Sequence, residues 1–280
     1  MPVILNTQEE IDLYIFEDMD KKMKWLKDNH PEFEIVSIIA KGSMNYGMMV
    51  FNEEYQSDVD VEVLIMPSLD DIIRGNKMIA TTYIMEDNSH INVRDIRLFK
   101  ELLFKQNLAY LELLHSEYYI DQPNYEEFMS KLRDMSDEID SIDPLKFFKA
   151  LKGMMYEKQK ALTHPYPIQK DEIEKYGYAA KQLHHIARLH YISILMISLN
   201  YKYKNCLKFD KDVNDILIEL KTQHFDKDDM LLKANKAVEQ TVKQIDTYIQ
   251  NHIFTIQEYT INKANELIYD AIKHSVLKRR

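Results

Sequence analysis

Behind Thr7-Gln8-Glu9-Glu10, which has the T-x-x-E form of a capping box, Ile11, Ile15, Met19, Met23 and Leu26 recur at helical spacing. The spacing predicts a first helix to about Asp28, stopped by His30-Pro31. Phe33 to Ala40 is rich in Ile and Val and reads as a strand ending at Lys41-Gly42-Ser43. From Ser57 to Met66 acidic and apolar residues alternate at first, predicting a second strand with Asp58, Asp60 and Glu62 on one face and Val59, Val61 and Val63 on the other. Thr81–Met85 and His90–Arg94 flank the turn-forming Glu86-Asp87-Asn88-Ser89 and read as a hairpin. Ile96, Phe99, Leu102 and Leu103 then mark a helix, and Leu108, Leu111 and Leu114 a second, shorter one.

After Asp121-Gln122-Pro123 the alternation disappears and long helical periods take over. Asp143-Pro144 is a helix start with Asp as N-cap and Pro at the first helical position, and Thr163-His164-Pro165-Tyr166-Pro167 forces a loop before a helix near Glu172. The expected class is α+β: an N-terminal α/β stretch over 1–120 with a mixed sheet and flanking helices, a connecting segment over 121–143, and an all-α domain over 144–280.

Composition narrows this picture. Of 280 residues only 5 are Gly and 7 Pro, while 45% are hydrophobic, which argues against a disordered or low-complexity chain. Lys and Arg number 36 against 46 Asp and Glu, a net charge of −10, so non-specific coating of nucleic acid is disfavoured and any polyanion needs a local basic patch. Cys206 is the only cysteine, which excludes an intrachain disulfide and a multi-cysteine zinc site and fits a reducing, cytoplasmic setting. There is no basic segment before the short apolar run at the amino terminus, and no stretch approaches the ~18 apolar residues of a membrane span. The expectation is a soluble, unprocessed chain with no membrane partner.

The chemistry centres on the acidic strand. Aspartates at i and i+2 project the same way about 7 Å apart, near enough to share a pair of divalent cations that clamp the attacking and leaving oxygens of a phosphoryl transfer. Gly42-Ser43, at the end of the preceding strand, could cradle a phosphate with backbone N–H groups and a hydroxyl. Asp95, at the hairpin's exit, would supply a third carboxylate, with Glu86, Asp87 and Glu101 as nearby alternatives. The competing reading of Asp58 and Asp60 is a solvated strand face whose charge blocks aggregation.

These residues resemble the nucleotidyltransferase superfamily with a DNA polymerase β-like palm, whose motif is Gly-Ser, a spacer, then Ser/Asp-Asp-x-Asp. More narrowly, the chain is similar to the RNA-ligase-associated nucleotidyltransferases of bacteria and phages. Three stretches carry the likeness: Gly42-Ser43-Met44-Asn45-Tyr46-Gly47 with Ser57-Asp58-Val59-Asp60; Asp95-Ile96-Arg97-Leu98-Phe99 with Asn107 to Leu114; and Tyr176-Gly177-Tyr178-Ala179-Ala180-Lys181 with His185 to Leu189. The chain departs from the family in a longer spacer over Met48–Gln56, in Leu108 where Pro is common, and in Ala179 where the family has Asp. The resemblance implies that 1–120 is the palm, that Asp58, Asp60 and Asp95 hold two Mg²⁺ ions, with Mn²⁺ as an alternative, and that Gly42, Ser43 and Ser57 position an NTP.

Lys181, His185 and Arg188 share one helical stripe at i, i+4, i+7, and the resemblance makes them candidates for the triphosphate. A solvated amphipathic first turn is the other reading of the same spacing. The basic end Lys273 to Arg280 could touch RNA, although cations in a last turn also stabilise a helix dipole without a partner. The expected activity is Mg-dependent transfer of an NMP from an NTP to an acceptor hydroxyl, on an RNA end, a protein or a small molecule. The alternative is a catalytically silent module of the same fold that binds nucleotide or RNA.

Overall fold

The computed structural model describes residues 2–198 and 202–278. Helix α1 (Gln8–Asn29) begins with the capping box in place, Thr7 accepting from the Glu10 amide and Glu10 reaching back to the Thr7 N–H. Strand β1 (Glu34–Ala40) follows, then a 3-10 turn over Gly42–Met44, strand β2 (Val61–Met66) and the short helix α2 (Leu69–Ile73). Strands β3 (Ala80–Ile84) and β4 (His90–Asp95) form the expected hairpin, whose turn places Asn88 at φ +66°. Helices α3 (Ile96–Phe104) and α4 (Leu108–His115), the edge strand β5 (Tyr119–Asp121) and helices α5 (Glu126–Asp134) and α6 (Ser136–Asp140) complete this stretch.

The five strands form one mixed sheet in the order β3-β4-β2-β1-β5, with β2 parallel to β4 and the other neighbours antiparallel. Val61, Val63, Ile65, Ile91 and Val93 pack against Ile15, Met19, Met23 and Leu26 of α1, so odd-numbered positions of β2 and β4 build the core. On β1 the register slips between Ile35 and Ser37. That extra residue resets the alternation, so that Ile35, Ile38 and Ala40 all join the same core.

The alternation anticipated from Ser57 does not produce ladder structure until Val61. Ser57 is committed elsewhere: its N–H donates to the Val50 carbonyl and its hydroxyl accepts from the Val50 N–H, both at 2.9 Å, closing the loop over 51–56. The Asp58–Asp60 segment therefore leads into the sheet from a loop.

Two compact units divide the chain. The first runs through Ile142 and resumes from Gln257; the second is Asp143–Ile256. The second holds helices α7 (Pro144–Thr163), α8 (Lys170–Tyr176), α9 (Ala180–Ser198), α10 (Lys211–Thr222) and α11 (Lys227–Asn251), with no strand among its described residues. Helix α12 (Glu258–Lys278) was expected with this helical stretch but belongs to the first unit. The Gln257 N–H donates to the Ile142 carbonyl, and the Tyr125 hydroxyl donates onward to Glu34 at 2.8 Å while lying 3.0 Å from Ser275. The expected connecting segment 121–143 is likewise largely α5 and α6 of the first unit. Arg279 and Arg280 of the basic end lie outside the described residues. No helix among the described residues is long and apolar enough to cross a membrane.

Candidate functional site

The turn at the end of β1 and the acidic segment, separated by a long loop in sequence, meet directly: the Lys41 N–H donates to the Asp60 carbonyl at 3.0 Å. Gly42 sits at φ +81°, a conformation that costs an L-residue about 1–2 kcal/mol, and open space lies where a Cβ would stand. Its role is conformational, because its N–H is already used. Glu112 of α4, buried in the protein, accepts from the Gly42 N–H at 2.7 Å through one carboxylate oxygen and from the Tyr46 hydroxyl at 2.8 Å through the other. The amide expected to face a phosphate is thus turned inward. Gly42→Ala is expected to cost about 1–2 kcal/mol in urea unfolding with no collision to relieve, so the loss should be independent of substitutions around it.

Asp60 is partly exposed. One oxygen accepts from the His90 N–H at 2.9 Å and lies 3.0 Å from His90 Nδ1; the other has no donor among the described residues. Asp58 is exposed. Two positions on from Asp60, Glu62 is 1% exposed and bracketed by Lys41 Nζ at 3.1 Å and Arg94 Nε at 2.8 Å. Burial works against the Arg94 charge, but Glu62 and then Tyr110 outweigh it and hold its pKa above the usual value. In the parallel pairing Glu62 faces Asn92, whose amide donates to the Val61 carbonyl and whose Oδ1 accepts from Thr82. The polar face of the sheet at this end is therefore Asp60, Glu62, His90, Asn92 and Arg94, with Lys41 beside it.

Asp95 stands apart from this group. It pairs with Ile65, five positions further along the parallel ladder from the Asp60–His90 contact, a separation of roughly 16 Å at ~3.3 Å per residue. Its carboxylate is 1% exposed, caps α3 through the Arg97 N–H at 2.8 Å and holds the Arg97 guanidinium at 2.6 Å. Asp58, Asp60 and Asp95 do not converge, and the parallel neighbour next to Asp60 offers an imidazole and an amide.

Lys181, His185 and Arg188 lie on α9 of the second unit. Lys181 is exposed, whereas Arg188 is buried. Burial first, and then the neighbouring Arg188 charge, hold His185 well below the ordinary histidine pKa, so it is neutral and the stripe carries two cations, not three. A groove of about 620 Å³ between α7 and α11 is lined by Tyr156, Asn235, Glu239 and Lys243 among others and includes none of the expected residues.

Lys41, His90, Asn92, Arg94 and Glu112 were not anticipated. Two signals could have found four of them: His90-Ile91-Asn92-Val93-Arg94 alternates polar with apolar residues, and Glu112 is a lone acid among Leu111, Leu113 and Leu114. Comparison with protein-family models and with curated proteins finds no match to this chain.

Proposed function

We propose that the protein is a magnesium-dependent nucleotidyltransferase, its donor and cation held at the Gly42–Met44 turn and by Asp58 and Asp60. The single observation that carries this reading is the hydrogen bond from Lys41 to Asp60, which seats a glycine turn of left-handed backbone against a carboxylate with one oxygen unclaimed by the described residues. Two carboxylate ligands suit Mg²⁺, which takes its remaining oxygens from water and substrate phosphates. Bound there, the ion would neutralise charge on the transferring phosphoryl group. Ser43 would orient the triphosphate, and Lys41 and Arg94 offset the charge of Glu62, so that the positive charge an anion needs on this acidic protein would come from the ion on Asp58 and Asp60. The acceptor oxygen attacks the α-phosphorus, the bond to the β-phosphate's bridging oxygen breaks, and pyrophosphate leaves. The acceptor's proton passes to solvent or to Asp58.

One observation favours the second reading, a silent binding module: beside Asp60 the parallel strand carries His90 and Asn92 where a third carboxylate would stand, while Asp95 is tied to Arg97. Transfer from each α-labelled NTP onto RNA, protein and small-molecule extract, with Mg²⁺, separates the two. Label and pyrophosphate from the native chain are expected to be abolished in the Asp58→Asn/Asp60→Asn double variant. The amide side chain that replaces Asp60 keeps an acceptor oxygen for His90, so the fold should persist. A folded native protein that binds nucleotide and releases no pyrophosphate would leave the silent module standing.

A further inference from the structure

A second cluster of metal-ligating side chains lies away from Asp58 and Asp60. His115 ends α4; Asp137 and Asp140 stand at i and i+3 on α6, on one face of that helix. One ligand atom from each lies within 4.8 Å of the others. His115 Nε2 is 2.8 Å from Asp140 Oδ2, with both side chains almost wholly buried. Asp140 is 1% exposed, yet its other oxygen, Oδ1, has no hydrogen-bond partner. Buried carboxylate oxygens are ordinarily satisfied, so an unclaimed one beside an imidazole and a second carboxylate offers a ligand position to a cation. Asp137, by contrast, is exposed and gives an ion a way in.

We propose that His115, Asp137 and Asp140 form a binding site for one divalent transition-metal ion. One imidazole nitrogen and two carboxylates make a donor set of intermediate hardness, which suits zinc, manganese or cobalt and discriminates against calcium and magnesium, whose preferred ligands are oxygens. At metal–ligand bonds of ~2.1 Å, Nε2 and Oδ2 at 2.8 Å subtend close to a right angle, and an Asp140 carboxylate that binds through both oxygens brings Oδ1 to the same ion, with further positions open to water. The C-terminal end of α4, with its negative dipole end, also favours a cation. Such an ion would tie the end of α4 to α6, and one turn earlier on α4 stands Glu112, the residue that grips the Gly42 turn.

Equilibrium dialysis of the metal-stripped full chain against Zn²⁺, in excess Mg²⁺, tests the site. One equivalent is expected to bind. Asp137→Asn, at an exposed position where the fold is not at stake, should weaken binding about tenfold or more, and Asp60→Asn should leave it unchanged. Co²⁺ should give visible absorption that His115→Gln abolishes, and occupancy should slow hydrogen exchange in α4 and α6. No stoichiometric binding, or equal affinity in the native chain and Asp137→Asn, would overturn the proposal. Because Asp60→Asn disables only the nucleotidyltransferase reading, failure of either is distinguishable from failure of the other.

Discussion

Glu112→Ala is expected to destabilise the first unit by about 2–5 kcal/mol. The carboxylate is buried and accepts from two donors on the turn, the Gly42 N–H and the Tyr46 hydroxyl. Truncation takes the acceptor from both at once and leaves a void, and hydrogen bonds to a charged group contribute roughly 1.5–3 kcal/mol each. Glu112→Gln should be much milder. Its carbonyl can serve Gly42, and its amide can donate to the Tyr46 oxygen once that hydroxyl turns round. Urea unfolding followed by Trp25, the only tryptophan and a first-unit residue, measures both. Equal, small losses from Ala and Gln would mean that the turn holds its shape without Glu112. If the turn also holds a nucleotide, Glu112→Ala should lower nucleotide affinity while Glu112→Gln largely preserves it.

The second large effect is acid sensitivity of the second unit. Burial first, then the Arg188 charge, hold His184 down at about 3, while its Nδ1 lies 2.8 Å from the Leu217 carbonyl and so carries the proton. His185 next to it is lowered too, by the same two causes. The sign follows from comparing the two states. Above the ordinary histidine pKa of about 6.5 both states are neutral and the stabilisation is fully present. As the pH falls below about 6.5 the unfolded chain takes up protons that the folded unit refuses, so stability drops by about 1.4 kcal/mol per pH unit for each such group. For His184 alone that is roughly 2 kcal/mol at pH 5, and His185 adds in the same direction. Hydrogen exchange of α9 and α10, corrected for intrinsic rates, should show protection falling steeply from pH 7 to 5. His184→Gln, which can still donate to Leu217, should flatten the slope by one proton's worth. A native profile flat across that range would contradict the buried, neutral assignment.

Much of the first unit was legible because its signals are local. The capping box at Thr7, the turn tetrad at 86–89 and the Leu stripes of α3 and α4 each concern residues within a few positions of one another. Strand β2 began later than its alternation implied because Ser57 and Val50 hydrogen-bond across a loop, a contact no periodicity encodes. Helix α2 was missed although Ser68 and Asp71 form a capping box of the readable kind. The edge strand β5 is three residues long and has no period to read. At the candidate site, the nearness of the turn at Lys41-Gly42 to the Asp60 segment was implied by the family resemblance, whereas the displacement of Asp95 was not. That depends on β2 and β4 being parallel, and a hairpin strand that pairs in parallel with a distant strand leaves no local trace. Likewise, that His185 is neutral follows from burial among other elements, which its spacing on α9 cannot express.

The return of the chain to its first unit at Gln257 has a consequence for the order in which the protein is made. Residues 143–256 form a contiguous stretch whose unit needs no later segment of the chain. The unit that carries Asp60 and the Gly42 turn is finished only when α12 arrives, more than a hundred residues after its strands were synthesised. Until then the surfaces of α3, α5 and α6 that α12 covers stay open, with Tyr125 still lacking its contact to Ser275. A released chain ended at Ile256 should therefore carry a complete second unit on an incomplete first one. The candidate site is assembled late although most of its residues are translated early.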